Sequence, residues 1–183
     1  RGLVLARGPQ VMTGYLNKPE ATEKVLSSDG WFDTGDLGML LPDGSLVITG
    51  RAKDTIVLNT GENIEPAPLE EALLSSDLFE QVMMVGQDER QLGVLIVPRK
   101  EKISLWAQSK GMKFFEESMD SPGDEKLRKM LKREINVLLS QRIGSRPEEK
   151  VVGVALVGPF SIENGLLTQT LKQRRQKIVD RDC

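Results

Sequence analysis

From Pro66 onward, short apolar stretches alternate with amphipathic ones, and this alternation restricts the chain to very few folds. Residues 81–85, 92–97 and 151–157 are rich in β-branched and aliphatic side chains and predict strands. Residues 66–75, 102–110, 124–141 and 172–180 predict helices. Pro66 opens the first of these, with Leu69, Leu73 and Leu74 on one face. Gly111 stops the second. The third is the longest, with Leu127, Met130, Leu131, Ile135, Leu138 and Leu139 at helical spacing. Residues 112–123 read as less regular, and 158–170 as an irregular, glycine-bearing segment. Strands alternating with one-faced helices imply a small α/β layer.

Ahead of Pro66 the pattern is different. Leu3-Val4-Leu5 reads as a strand, and Pro19 opens a short helix over 19–26 that Asp29-Gly30 breaks. Residues 31–64 read as short strands separated by turns. Leu40-Leu41-Pro42-Asp43-Gly44-Ser45 is a hairpin signal. These first residues are too few for a full core and read as the tail of a larger domain. The expected fold class is therefore α/β (α+β): a β-rich tail over 1–50, a joint over 51–54, and a small domain over 55–183 with a short sheet flanked by helices.

Composition removes several functions. A net charge of −2 does not suit general nucleic-acid binding, which needs a dense basic surface. With no histidine and one cysteine, Cys183, neither a zinc site, a histidine general base nor an internal disulfide is expected. A reducing interior compartment fits best. The apolar runs are too short to span a bilayer. The chain opens on Arg1-Gly2-Leu3-Val4, without initiator Met, signal or transit peptide, and this start reads as a fragment boundary.

Three clusters carry chemistry. In Trp31-Phe32-Asp33-Thr34-Gly35-Asp36-Leu37, a carboxylate beside a glycine on a strand edge can accept hydrogen bonds from two adjacent sugar hydroxyls, and Gly35 lets a ligand approach the backbone. Alone, this is more simply a hairpin with a turn aspartate. In Gly50-Arg51-Ala52-Lys53-Asp54-Thr55-Ile56, Arg51 offers planar donors to a ribose or phosphate. Alone, this is more simply a solvated linker. In Glu163-Asn164-Gly165-Leu166-Leu167-Thr168-Gln169-Thr170-Leu171-Lys172, a lysine ends a glycine-containing loop and can act as a mobile positive charge. Alone, Lys172 is more simply the first-turn lysine of a basic helix, although a cation there opposes the helix dipole.

In this order and spacing the clusters resemble the adenylate-forming superfamily of acyl-CoA synthetases, luciferase and peptide-synthetase adenylation domains. Val11-Met12-Thr13-Gly14-Tyr15-Leu16-Asn17-Lys18-Pro19-Glu20-Ala21-Thr22 resembles the segment before that family's ribose motif. Phe32-Asp33 in place of Tyr-Arg, together with Glu163-Asn164-Gly165-Leu166-Leu167-Thr168, resembles the long-chain fatty acyl branch. Residues 50–58 followed by Gly61-Glu62-Asn63-Ile64-Glu65-Pro66 most resemble the acyl-carrier-protein synthetases of plastids and cyanobacteria. One departure is Leu171, where the family has glycine.

The resemblance implies a two-part arrangement: residues 1–50 end the large AMP-binding domain, and 55–183 form the mobile C-terminal domain. It implies that Asp36 and Arg51 hold the ribose of ATP and AMP, that Lys53 is the hinge residue, and that Gly61 and Glu62 line the pantetheine tunnel. Lys172 matches the lysine that contacts the reacting carboxylate and α-phosphate, with Arg174 and Lys177 as substitutes. The implied reaction activates a long-chain fatty acid with ATP to acyl-AMP and passes it to a thiol of acyl carrier protein or CoA, with Mg²⁺ accompanying ATP and no metal site in this chain. The phosphate-cradling loop and fatty-acid pocket would lie upstream, so this chain alone is expected to be inactive. A plastid or cytoplasmic location is implied. Other readings are a peptide-synthetase-like adenylation domain, a non-catalytic carrier-binding fragment, and peripheral membrane association through Lys172, Arg174, Arg175 and Lys177. For that last cluster a solvated helix face is the more ordinary reading.

Overall fold

The computed structural model describes residues 1–111 and 125–183; the irregular stretch expected at 112–123 and the expected first residue of the long helix lie outside the described residues. The fold is mixed α/β, and the chain divides into two compact units, Arg1–Thr55 and Ile56–Cys183.

The first unit is an antiparallel sheet of β1 (Gly2–Ala6), β2 (Phe32–Leu40) and β3 (Leu46–Arg51), in the order β1-β2-β3. A short helix, α1 (Pro19–Glu23), lies on the chain between β1 and β2. It ends three residues before the expected stop. β2 and β3 form the hairpin that Pro42-Asp43-Gly44 announces: Leu41 N–H donates to the Ser45 carbonyl at 2.8 Å, and Gly44 takes a φ of +85°. The Asp43 carboxylate accepts the Ser45 N–H at 2.9 Å, a bond that holds its pKa below the usual carboxylate value. No hydrophobic side chain of this unit is buried. The last turn, Ala52–Asp54, is a single 3₁₀ turn.

The second unit begins with the hairpin of β4 (Ile56–Val57) and β5 (Asn63–Ile64), followed by α2 (Pro66–Leu74). Its main sheet has the order β6-β7-β8, with β6 (Phe79–Val85) antiparallel and β8 (Val151–Leu156) parallel to the central β7 (Leu92–Pro98). Side chains alternate across a strand, and the two faces fill two cores. Val82, Met84, Val94 and Ile96 point to one face, under α2, α3 (Lys100–Ser109) and α4 (Glu125–Ser140). Met83, Leu95 and Val97 point to the other, under Phe160, Leu166, Leu167 and Ile178 of the C-terminal segment. In α4, Leu127, Leu131, Ile135 and Leu139 recur at i, i+4 and are all buried. Among the described residues no helix is long and apolar enough to cross a membrane.

The last helix, α5, spans Arg175–Asp182 rather than the 172–180 expected from its basic residues. The cause is that residues 172–174 pair back on the preceding segment: Thr168 N–H donates to the Lys172 carbonyl, Arg174 N–H donates to the Leu166 carbonyl, and Leu167 and Gln173 form an antiparallel bridge.

Candidate functional site

The first cluster is built by two bulges. Between β1 and β2 the register runs Leu3↔Leu37 and then Leu5↔Asp33, so the run between these β2 partners carries two more residues than Val4 alone can face. Side chains of the cluster replace the lost ladder. Thr34 Oγ1 donates to the Val4 carbonyl at 2.7 Å and accepts the Asp36 N–H at 3.1 Å, while Asp33 Oδ1 accepts the Gly35 N–H at 2.8 Å. Gly35 makes the bend at φ +69°. Between β2 and β3 the register shifts from Gly38↔Ile48 to Leu37↔Gly50, leaving Thr49 as the extra residue. Its hydroxyl is buried with no hydrogen-bond partner among the described residues.

The outcome is that Asp36 faces Arg51, with Nη1 to Oδ1 at 3.4 Å and the side chains 32% and 49% exposed. Arg51 Nη2 also reaches the Thr34 carbonyl at 3.5 Å. A pair this open can exchange its mutual contact for a ligand's hydroxyls: the carboxylate accepts, the guanidinium donates. Lys53 is exposed within the 3₁₀ turn that follows.

In the second unit, Gly61 and Glu62 lie at the exposed tip of the β4–β5 hairpin, and Gly61 takes a φ of +86° with open space where a side chain would stand. Leu58 N–H donates to the Glu62 carbonyl at 2.9 Å and closes the turn. Arg146 braces this tip: Nη2 donates to the Asn63 carbonyl at 3.0 Å, and Nη1 lies 3.9 Å from Glu62 Oε2. Arg146 is itself held by the buried Glu149, which also pairs with Arg142.

The third cluster forms a turn-and-loop. The Asn164 side chain accepts from Ser161 and Leu166 N–H and donates to the Pro159 carbonyl, which shapes the glycine turn at Gly165. The Ser161 hydroxyl, hydrogen-bonded to the exposed Glu163, holds that carboxyl below its usual pKa. Leu166 and Leu167 then enter the core. From Thr168 the chain emerges and returns: Thr168 N–H donates to the Lys172 carbonyl at 2.8 Å, and Lys172 N–H donates to Thr168 Oγ1 at 3.0 Å. Lys172 is exposed, outside any helix, and makes no ion pair among the described residues.

The structure thus brings Asp36 and Arg51 together in the first unit, and places Gly61 with Glu62, and separately Lys172, in the second. Sequence reasoning missed the bulge-forming roles of Asp33, Thr34 and Thr49, and the bracing role of Arg146. No group of three or more Asp, Glu, Cys or His side chains able to hold a metal ion occurs among the described residues.

Residues 53–119 match the model of the AMP-binding enzyme C-terminal domain. The chain is 41% identical to probable acyl-activating enzyme 16, chloroplastic, of Arabidopsis thaliana, over 98% of this chain and 26% of that one. It is 40% identical to the chloroplastic long-chain fatty acid–acyl-carrier-protein ligase AEE15 of the same plant, over 98% and 24%. It is 38% identical to human long-chain-fatty-acid–CoA ligase 1, over 97% and 25%. It therefore spans about a quarter of the length of these relatives. Among solved structures, the adenylation domain of carboxylic acid reductase from Segniliparus rugosus, in complex with AMP and a carboxylic acid, matches with a TM-score of 0.79 at 26% identity, over 98% of this chain and 26% of that one.

Proposed function

Because this chain belongs to the AMP-binding, acyl-activating enzymes, we propose that it forms the C-terminal part of an ATP-dependent ligase that activates a long-chain fatty acid. In this reading the fatty-acid carboxylate attacks the α-phosphate of ATP, giving acyl-AMP and pyrophosphate, and a phosphopantetheine thiol then displaces AMP. The observation that carries the reading is the in-register, half-exposed Asp36–Arg51 pair beside Gly35. Asp36 accepts hydrogen bonds from the ribose hydroxyls, and Arg51 donates to the same sugar. Lys172 supplies an ammonium where negative charge gathers between carboxylate and α-phosphate. Lys53 serves as the hinge between the two half-reactions. Gly61 leaves a bare backbone at the hairpin tip, along which a pantetheine arm can lie, with Glu62 beside it.

Mg²⁺ bound to ATP would neutralise phosphate charge. In this reading the ion enters with the nucleotide and rests on groups upstream. The thiol acceptor is acyl carrier protein or CoA, since relatives named for each match this chain at 40% and 38% identity. The carrier protein is favoured: carrier proteins are acidic, and the exposed side of α4 carries Lys126, Lys129 and Arg133. A plastid location agrees with the chloroplastic relatives.

The test is to assay the half-reactions separately in the full-length protein. Pyrophosphate release with ATP, Mg²⁺ and palmitate reports adenylation; acyl transfer from supplied acyl-AMP to thiol reports the second step. Lys172→Ala should lower adenylation by roughly 10²–10³ and leave the second step nearly intact. Adenylation within about threefold of wild type, while Arg174→Ala or Lys177→Ala abolishes it, would assign the role to the neighbour.

A further inference from the structure

We propose that Arg175 is a positioning residue for Lys172, acting through Glu70 and the free edge of β6; this rests on the reading of Lys172 given above. β6 is an edge strand of the main sheet, and its unpaired peptide groups are taken up by side chains. Gln173 Nε2 donates to the Val82 carbonyl at 3.0 Å. Two residues further on, Arg175 Nη2 donates to the Met84 carbonyl at 2.6 Å. Glu70 of α2 accepts the Met84 N–H at 2.7 Å and Arg175 Nη1 at 2.9 Å on the same oxygen, Oε1. A step of two along 173–175 thus matches a step of two along β6, as in a parallel strand whose ladder is made by side chains.

This arrangement locates Lys172. The bonds between Thr168 and Lys172 give the loop its shape but tie it only to itself. Its place relative to the sheet is set from both sides: before it Leu166 and Leu167 pack in the core, and after it Arg174 N–H bonds the Leu166 carbonyl and the Gln173 and Arg175 side chains bond β6. Arg175 is the strongest of these anchors. Its side chain is only 20% exposed, pairs with the Glu70 side chain, 15% exposed, and binds two acceptors at once, a fork that lysine cannot reproduce. Hydrogen bonds with charge on both sides are among the strongest in a protein. The fork of Arg175 is directed at Glu70 and the Met84 carbonyl; what it offers a reaction is the place of the ammonium three residues earlier.

The experiment uses the full-length enzyme with Arg175→Met, Arg175→Lys, Glu70→Gln, Lys172→Ala and the double variant Lys172→Ala/Arg175→Met. Arg175→Met is expected to slow adenylation by about 10–100-fold, the scale of a small misplacement of a reacting group, with transfer from supplied acyl-AMP unchanged. Arg175→Lys should recover part of the loss. The double variant should be no slower than Lys172→Ala alone, since two residues acting as one unit do not add. Amide hydrogen exchange at Leu171 and Lys172 should quicken in Arg175→Met, a reading independent of activity. Losses that multiply in the double variant overturn the positioning role while leaving Lys172 as the reacting cation. A silent Lys172→Ala overturns the role of Lys172 itself, and this inference with it. If Arg175→Met does not fold, Arg175→Lys and Glu70→Gln carry the same comparison; equal slowing of both half-reactions in them would reduce Arg175 to a fold-stabilising residue.

Discussion

Asp36 stands opposite Arg51 because Thr49 takes up an extra place in β3. Below the bulge the strands pair Gly38 with Ile48 and Met39 with Val47; continued without a shift, that register would set Asp36 against Gly50 and Arg51 against Gly35. One inserted residue therefore converts two neighbouring polar side chains into a facing pair.

Gly35→Ala tests that geometry. A left-handed φ costs a residue with a Cβ roughly 1–2 kcal/mol, and the new methyl would lie 3.3 Å from Arg51 Nη2. Arg51 is flexible and will give way, so the fold should survive while the pair is displaced. The expected result is a rise of about tenfold in the KM for ATP, the equivalent of roughly 1.4 kcal/mol, with the thiol step little changed. An unaltered KM would remove the pair from nucleotide binding.

Lys53→Pro should harm thioester formation more than adenylation. Proline fixes φ, and a stiffened joint would favour one of the two poses that the half-reactions require. Burst-phase adenylate formation and steady-state thioester production would be compared in the full-length protein. Equal losses would argue against a hinge at Lys53.

Leu171→Gly should be tolerated or mildly stabilising. Leu171 is 69% exposed and held at φ +59°, so glycine removes backbone strain while forfeiting little packing. The strain relieved, about 1–2 kcal/mol, exceeds the roughly 0.5–1 kcal/mol by which glycine's freedom favours the unfolded chain. Thermal unfolding should shift upward by a few degrees at most. A clear loss of stability would mean that the leucine side chain has a packing role.

Glu149→Ala should destabilise the second unit by about 3–5 kcal/mol, the usual cost of removing one partner from a buried ion pair. Glu149 pairs with Arg142 and Arg146, and its loss strands Arg142, whose side chain is 18% exposed. Because Arg146 braces the hairpin at Glu62 and Asn63, the same change should speed hydrogen exchange at residues 61–63. Denaturant melts and exchange rates check the two effects.

The parts legible in the sequence were those set by local period and turn chemistry. Leu127, Leu131, Ile135 and Leu139 declare the long helix, and Asp43-Gly44 declares the hairpin, because each signal is complete within a few residues. The parts that escaped depend on partners distant in sequence. Nothing near Thr34 says that its hydroxyl will replace a ladder bond at Val4, 30 residues earlier. Nothing near Arg175 points to Met84, 91 residues away. Residues 172–180 read as continuous basic helix, and only the bonds between Lys172 and Thr168 show that Lys172 belongs to the loop before it. The amide of Asn136 is similar: a polar residue in an otherwise amphipathic helix, it pairs with both backbone groups of Val151 at the start of β8.

The absence of any buried hydrophobic side chain in residues 1–55 has a calorimetric consequence. The heat capacity of unfolding comes chiefly from apolar surface newly exposed to water, about 12–15 cal/mol/K per residue in an ordinary domain. In this chain that surface is concentrated in residues 56–183, so an endotherm recorded on it would report the second unit almost alone. The β1–β3 sheet would lose its order gradually, as a sloping baseline beneath another unit's peak.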